Sequence, residues 1–355
     1  MIILIFPEKN KIIRLQTRFQ ASLRYKKMCI EGNPVFWYYK INIKEELAMK
    51  QEFYYPSKDG LTQIHAISWI PEGEVRGVLQ IAHGMVEFID RYDRFAAFMA
   101  DNGFYVVGND HLGHGASVTD PSKYGYFAKH DGNLCVLGDM HQLREDTMKK
   151  YPDVPYFLLG HSMGSFLARQ YIEVYGEGLA GAIIMGTAYQ PMAVLNAGMT
   201  MTWVLEKTRG GLYKSNFINN IGIGAYNKAF EPGRTKCDWL TKDEAIVDAY
   251  IANPLNQFVF TVNGYYNMFR GIRYCERQKN LDKIPKDLPI FFVSGEQDPV
   301  GEFGKGVKKV AESFRKTGIQ DVTMKLYPGD RHEILNELDK EKVDQDLLAW
   351  MEARM

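Results

Sequence analysis

The stretch Tyr156-Phe157-Leu158-Leu159-Gly160-His161-Ser162-Met163-Gly164 constrains this chain more than any other. Four apolar residues read as a buried strand, and residues 166–175 carry the spacing of a helix. Between them stands a serine flanked by glycines in the pattern Gly-x-Ser-x-Gly. A serine lifted onto a sharp strand-to-helix turn has strained backbone angles. Small residues two before and two after it let neighbouring backbone pass closely. A chain with this motif is expected to expose Ser162 at the carboxyl end of a strand in a layered sheet.

The sequence from Met49 onward agrees. Residues 51–55 and 62–69 read as strands separated by a Lys58-Asp59-Gly60 turn, the pattern of a hairpin. Short apolar runs at 77–82, 104–107, 181–185, 289–293 and 322–327 read as further buried strands. Amphipathic stretches at 92–101, 134–151, 304–316 and 333–354 read as helices between and after them. Buried strands alternating with helices predict an α/β architecture, a mostly parallel central sheet with helices on both faces. The alternation breaks between Gly186 and Arg273, a Met-, Tyr- and Asn-rich helical segment. Thr241-Lys242-Asp243-Glu244 there reads as a capping box. The expected organisation is a core of 49–186 and 274–355 with a helical cap, 187–273, inserted into it.

Residues 1–48 differ in character: basic, without clear periodicity, mixing aromatics with a Gly-Asn-Pro turn. Lys44-Glu45-Glu46 can be encoded by AAGGAGGAA, which contains a strong bacterial ribosome-binding sequence, with Leu47 and Ala48 as spacer before Met49. The expectation is a translated leader with the natural start at Met49, ahead of the alternative of a basic membrane-surface anchor. The apolar run at 1–6 is far shorter than the roughly 20 residues of a membrane span. It also lacks the charge order and cleavage site of a secretory signal. Lys plus Arg and Asp plus Glu both number 43, a balance that argues against nucleic acid as a partner. Four cysteines, Cys29, Cys135, Cys237 and Cys275, are scattered without metal or redox spacing, so a reducing cytoplasmic location is expected.

A serine hydroxyl is a weak nucleophile and needs a base that is itself oriented by an acid. On a strand–turn–helix serine the chain order is Ser, then Asp or Glu, then His. His332 is the only histidine after Ser162, and it lies in the expected loop between the last strand and the last helix. The acid is expected just after the 289–293 strand. Asp298 is the candidate there, with Glu296 and Asp330 as rivals. Acyl transfer also needs backbone donors for the oxygen that becomes negative. These are assigned to Met163, the residue after the serine, and Met85, in the loop that starts His83-Gly84-Met85 after the third strand. His83 is expected to hold that loop rather than to move protons.

These segments together resemble the monoacylglycerol lipase and lysophospholipase group of α/β-hydrolases, the serine aminopeptidase-like hydrolases. The resemblance runs from about Met49 to the C-terminus. It rests on His83-Gly84-Met85-Val86-Glu87 with Arg91-Tyr92, on 110–117 (Asp-His-Leu-Gly-His-Gly-Ala-Ser), and on 160–165. It continues with Gln297-Asp298-Pro299-Val300-Gly301 and with Gly329-Asp330-Arg331-His332-Glu333. It implies a Ser162/Asp298/His332 triad, donors at Met85 and Met163, a helical cap, and no metal or cofactor. The 110–117 segment is implied to be a structural turn. One departure is Phe88, where the family commonly has histidine. The pocket side of that loop is therefore expected to be more apolar.

The implied reaction is hydrolysis of a carboxylic ester through an acyl-serine. The cap stretch 192–205 is rich in Met, Leu, Trp and Val, side chains that suit flexible apolar ligands. Monoacylglycerol or lysophospholipid is the expected substrate, with transient membrane-surface contact through the cap and no obligate protein partner. Three alternatives stand beside it. One is a small-ester carboxylesterase. Another is an aminopeptidase using Asp243, Glu244 and Asp248 for a substrate amine. The third is a non-enzymatic binding protein on a hydrolase scaffold.

Overall fold

A computed structural model describes residues 49–355 in full. Ahead of them it describes only the backbone of two short antiparallel pairs, Ile2–Ile5 with Ile12–Leu15 and Met28–Ile30 with Asn33–Val35. The expectation that Met49 is the natural start lies outside the described residues.

Eight strands form one sheet: β1 (Met49–Pro56), β2 (Gln63–Ile70), β3 (Gly77–Ala82), β4 (Phe104–Asn109), β5 (Tyr156–His161), β6 (Gly181–Met185), β7 (Ile290–Gly295) and β8 (Val322–Tyr327). Their spatial order is β8-β7-β6-β5-β3-β4-β2-β1. Pairing is parallel except at the edge, where β2 runs antiparallel to β4 and to β1. The β1–β2 hairpin turns where expected, with Asp59 Oδ1 accepting from the Leu61 and Thr62 N–H groups, both at 2.8 Å.

Alternation along each strand sends side chains to opposite faces. Val78, Leu158, Ala182 and Ile184 join one apolar cluster, under α2 (Gly132–Lys150), α3 (Met163–Tyr175) and α9 (Lys305–Lys316). Leu79, Phe157, Leu159 and Ile183 join the other, under α1 (Asp93–Asp101) and α10 (Lys340–Glu352). Both faces of the central strands are thus covered, which is why they read as continuous apolar runs.

Between β6 and β7 the chain builds α4 (Met192–Arg209), α5 (Asn216–Ile221), a 3-10 helix (Ile223–Phe230), α6 (Glu244–Ala252), α7 (Val262–Cys275) and the single turn α8 (Gln278–Leu281). The predicted capping box starts differently. Asp243, not Thr241, caps α6, its Oδ1 accepting from the Ala245 N–H at 3.1 Å. The Thr241 hydroxyl instead donates to the Asn336 carbonyl at 3.0 Å. The last helix also starts later than its amphipathic pattern suggests. Residues 334–336 form a separate 3-10 turn because Glu333 and Glu337 are committed to long-range partners.

Glu173, near the end of α3, is buried with no hydrogen bond to either carboxylate oxygen. Burial pushes its carboxyl up to about 8, with the Arg169 charge pulling the other way. The folded chain therefore keeps this proton up to about pH 8, whereas the unfolded chain releases it near about 4.3. Stability should fall as pH rises through that window, by about 3 kcal/mol at pH 7. Glu173→Gln is expected to match the wild type at pH 4 and to melt roughly 5 °C higher at pH 8. Thermal melts across this range check it, and parallel curves would refute it.

Candidate active site

β5 runs straight into Ser162, and α3 begins at the next residue. Ser162 has φ 55° and ψ −119°, a conformation that costs an L-residue about 1–3 kcal/mol. It is held by its N–H donating to the Met185 carbonyl at 3.0 Å and its carbonyl accepting from Ser165 Oγ at 2.6 Å. The flanking glycines are steric necessities. A Cβ on Gly160 would lie 2.2 Å from the Gly164 carbonyl oxygen, and one on Gly164 would lie 1.9 Å from that of Ala82.

The loop after β7 brings Asp298 to His332. Asp298 Oδ2 lies 3.0 Å from His332 Nδ1 and accepts from Ser294 Oγ at 3.2 Å, while Oδ1 accepts from the Val300 N–H at 2.9 Å. Both residues are buried. The two rival acids are elsewhere. Glu296 is exposed, and Asp330 pairs with Lys242 Nζ at 2.8 Å. The His332 ring lies against the end of β6, where a Cβ on Gly186 would be 3.1 Å from Cε1. It also packs 4.7 Å, centre to centre, from His161, the neighbour of Ser162. His332 Nε2 is buried and has no hydrogen-bond partner.

The loop after β3 passes over Ser162, and a Cβ on Gly84 would sit 3.0 Å from Ser162 Cβ. His83 holds this loop as expected. Its Nε2 accepts from the His111 N–H at 3.0 Å, so Nδ1 carries the proton and donates to the Gly84 carbonyl at 2.7 Å. Burial pushes its pKa down despite nearby Asp110 and Glu87, so the ring is neutral. Met85 and Phe88 are half-buried. Met163 is the first residue of α3, so its N–H has no acceptor one turn back. Val86 has φ 59°, a left-handed angle rare for a β-branched side chain. Its carbonyl accepts from the Tyr250 hydroxyl at 3.1 Å and from Asn256 Nδ2 at 2.7 Å.

Beneath these loops lies a buried charge cluster to which the sequence pattern assigned no role. Arg91 Nη1 bonds Glu87 Oε2 at 2.7 Å and Glu333 Oε1 at 2.8 Å, while Nη2 bonds Glu333 Oε2 at 2.7 Å. Glu87 Oε1 accepts from the Gly84 N–H and from the Tyr92 hydroxyl. His161 Nδ1 lies 3.3 Å from Glu87 Oε1 and its Nε2 lies 3.3 Å from the His332 carbonyl. Both His161 nitrogens thus face acceptors. Burial opposes a charge on the ring, but Glu87 overcomes it and raises the pKa. Burial would likewise raise Glu87, yet the hydrogen bond with His161 and the Arg91 charge hold it far below the usual carboxylate range. One ionic cluster therefore ties together the 83–88 loop, the serine turn and the histidine loop. Arg91 and Glu333 stood in the motifs on which the resemblance rests, but their partnership spans 242 residues and left no local signal.

Residues 239–242 of the insertion clamp the histidine loop from the other side. The Glu333 N–H donates to the Leu240 carbonyl at 2.7 Å, and the Trp239 ring centre lies 5.0 Å from that of His332. In the 110–117 turn, Asp110 accepts from the Ile89 and Ala116 N–H groups at 2.8 Å each and meets His65 Nδ1 at 2.8 Å. Its oxygens are engaged in shaping that turn.

The sequence pattern of the family described as serine aminopeptidase, S33, matches residues 73–339. The chain belongs to that family. Among curated proteins similar to this chain, the monoacylglycerol lipase of Mycolicibacterium smegmatis is 26% identical over 294 residues, covering 80% of this chain and 90% of its own. The human monoglyceride lipase is 24% identical over 297 residues, covering 81% and 86%. A thermostable carboxyl esterase from Bacillus coagulans, solved with glycerol, superposes with a TM-score of 0.80 at 30% identity, covering 86% of this chain and 98% of that one. The sheet described above is accordingly an α/β-hydrolase sheet. In this S33-family chain, no helix among the described residues is long and apolar enough to cross a membrane.

Proposed function

We propose that this protein is a serine hydrolase that cleaves lipid-like carboxylic monoesters, monoacylglycerols or lysophospholipids, through an acyl-Ser162 intermediate. The observation that carries the reading is the 3.0 Å contact between Asp298 and His332, whose Nε2 is buried without a partner and whose ring packs 4.7 Å from that of His161, the residue before the strained Ser162. Asp298 accepts the Nδ1 proton and fixes the tautomer, leaving Nε2 as the base for the Ser162 hydroxyl. Ser162 Oγ attacks the ester carbonyl. The N–H groups of Met85 and Met163 receive the oxyanion, assisted by the positive end of α3. The imidazolium of His332 then protonates the departing alcohol. Water, deprotonated by the same nitrogen, releases the acid and regenerates Ser162. Apart from the ester and water, every group this cycle uses is a residue of the chain, so the reading assigns it no metal or cofactor.

The lipid character rests on the named relatives and on the apolar cluster over the site. Phe166, Ala188, Leu195, Trp239, Leu240, Ile272 and Val300 form its buried centre, with Met192, Met268 and Phe269 around it. We read this region, together with α4, as the cap. Within 192–205, Leu195 and Met199 point inward while Trp203 and Val204 are exposed. The exposed pair, with Leu212, Phe217 and Ile221 and the cations Lys207, Arg209 and Lys214 nearby in sequence, suits transient contact with a membrane surface. The acids offered for an aminopeptidase have other partners, which favours the ester reading: Asp243 caps α6, and Asp248 and Glu244 face Arg234 at 2.6 and 3.7 Å. We also place the protein in the cytoplasm, a reading supported by unpaired Cys135, Cys237 and Cys275 and testable by cell fractionation.

The test is a panel of p-nitrophenyl esters and monoacylglycerols from two to sixteen carbons, offered in solution and in lipid vesicles. Medium and long chains are expected to exceed acetyl in kcat/KM by about tenfold or more, since each buried methylene contributes about 0.8 kcal/mol. Trp203→Ser with Phe217→Ser should slow hydrolysis only of vesicle-borne substrate. Activity confined to acetyl esters or to amides would overturn the lipid assignment.

A further inference from the structure

The loop that carries Met85 is held at two points on either side of it. On one side the Gly84 N–H is bonded by Glu87 Oε1. On the other, the Val86 carbonyl accepts two hydrogen bonds, from Tyr250 on α6 and from Asn256 in the adjoining 3-10 turn Pro254–Asn256. Both donors belong to the insertion between β6 and β7, 164 and 170 residues away in sequence. Two donors on one buried carbonyl use both its lone pairs. The residue they hold is a valine at φ 59°, where a β-branched side chain is strained and glycine is not. Strained backbone persists only where its surroundings over-determine it. Freed of these two bonds, Val86 relaxes toward negative φ. That rotation turns the Met85–Val86 peptide, displaces the Met85 Cα attached to it, and with it carries the N–H of the preceding Gly84–Met85 peptide out of line.

We infer that Tyr250 and Asn256 are positioning residues for the oxyanion site, acting through the Val86 carbonyl, so that the insertion completes the catalytic geometry as well as covering it. The inference rests on the proposed role of Met85 as an oxyanion donor. It makes formation of that site conditional on α6 and its following turn being docked. Tyr250 also lies under the Arg91 guanidinium, 4.9 Å from its ring centre. Tyr250→Phe keeps that packing and removes only the hydroxyl.

The experiment compares wild type, the double variant Tyr250→Phe/Asn256→Ala, and the same double variant carrying Val86→Gly. Kinetics on a soluble p-nitrophenyl ester are read beside binding of a trifluoromethyl ketone, whose hemiketal oxygen needs the same donors. The double variant is expected to lose about 10–100-fold in kcat with KM changed less than about threefold, approaching the cost of a lost oxyanion donor. Ketone affinity should fall in parallel. Val86→Gly, which makes the left-handed angle unstrained, should restore at least about tenfold of both. A wild type that hydrolyses the ester, with a double variant of unchanged kcat, overturns the inference. So does a folded double variant whose loss Val86→Gly does not relieve. If the double variant does not fold, Tyr250→Phe with and without Val86→Gly makes the same comparison and decides between the same two outcomes. A folded wild type without any esterase activity instead removes the proposed function itself.

Discussion

Asp298→Asn is expected to lower kcat by about 10⁴ with KM within about threefold of wild type. The argument is one of tautomers. Asp298 Oδ2 lies 3.0 Å from His332 Nδ1 and also accepts from Ser294 Oγ, while Oδ1 is taken by the Val300 N–H. These donors orient the carboxylate before substrate arrives. An asparagine in the same place turns its amide N–H toward Nδ1 and forces the imidazole proton onto Nε2, where it can no longer accept from Ser162. Shape and packing survive, so the loss falls on kcat rather than on folding. Glu296→Gln removes an exposed carboxylate and should leave kcat within about twofold, as for most surface substitutions. A steady-state comparison of the two variants settles the acid. An Asp298→Asn enzyme retaining more than about a tenth of wild-type kcat contradicts the assignment.

Arg91→Met is expected to cost about 3–5 kcal/mol of stability, because it leaves Glu87 and Glu333 as buried carboxylates with only His161 to offset them. Arg91 Nη1 and Nη2 bond Glu333 at 2.8 and 2.7 Å, and Nη1 also bonds Glu87 at 2.7 Å. The side chains of Glu87 and Glu333 are each only 5% exposed, so solvent screens this cluster little. Methionine keeps much of the volume and removes the charge. The melting temperature should fall by roughly 10 °C. The surviving folded fraction should be slow in catalysis, since Glu87 also holds the Gly84 N–H and His161 contacts the His332 carbonyl. Calorimetry checks the first effect, and kcat per folded molecule checks the second. A fall below about 2 °C would show that the cluster carries little of the fold's stability.

The strand–turn–helix at 156–175 was legible because every element of it is local. A continuous apolar run marks the strand, and each glycine of Gly-x-Ser-x-Gly answers a specific backbone approach. The contact between Asp298 and His332 was legible through chain order, although order alone left Glu296 and Asp330 open as its partner. In the structure Asp330 is drawn to Lys242, 88 residues away, and Glu296 is exposed. The same distance in sequence hid the rest. Arg91 joins Glu333 across 242 residues, and Tyr250 joins Val86 across 164. The left-handed Val86 was invisible because the pattern His83-Gly84-Met85-Val86-Glu87 has no glycine at that position to announce it. Thr241 does not cap a helix, because its local capping pattern competes with a tertiary partner, the Asn336 carbonyl. The last helix starts later than its pattern for the same reason, with Glu333 drawn to Arg91.

The most direct test of the account is where a fluorophosphonate ester attaches to the folded protein. Intact mass is expected to show one adduct per chain, peptide mapping to place it on Ser162, and Ser162→Ala to abolish both labelling and monoacylglycerol hydrolysis while melting like the wild type. A folded Ser162→Ala enzyme that still hydrolyses these esters, or an active wild type labelled elsewhere, would contradict it.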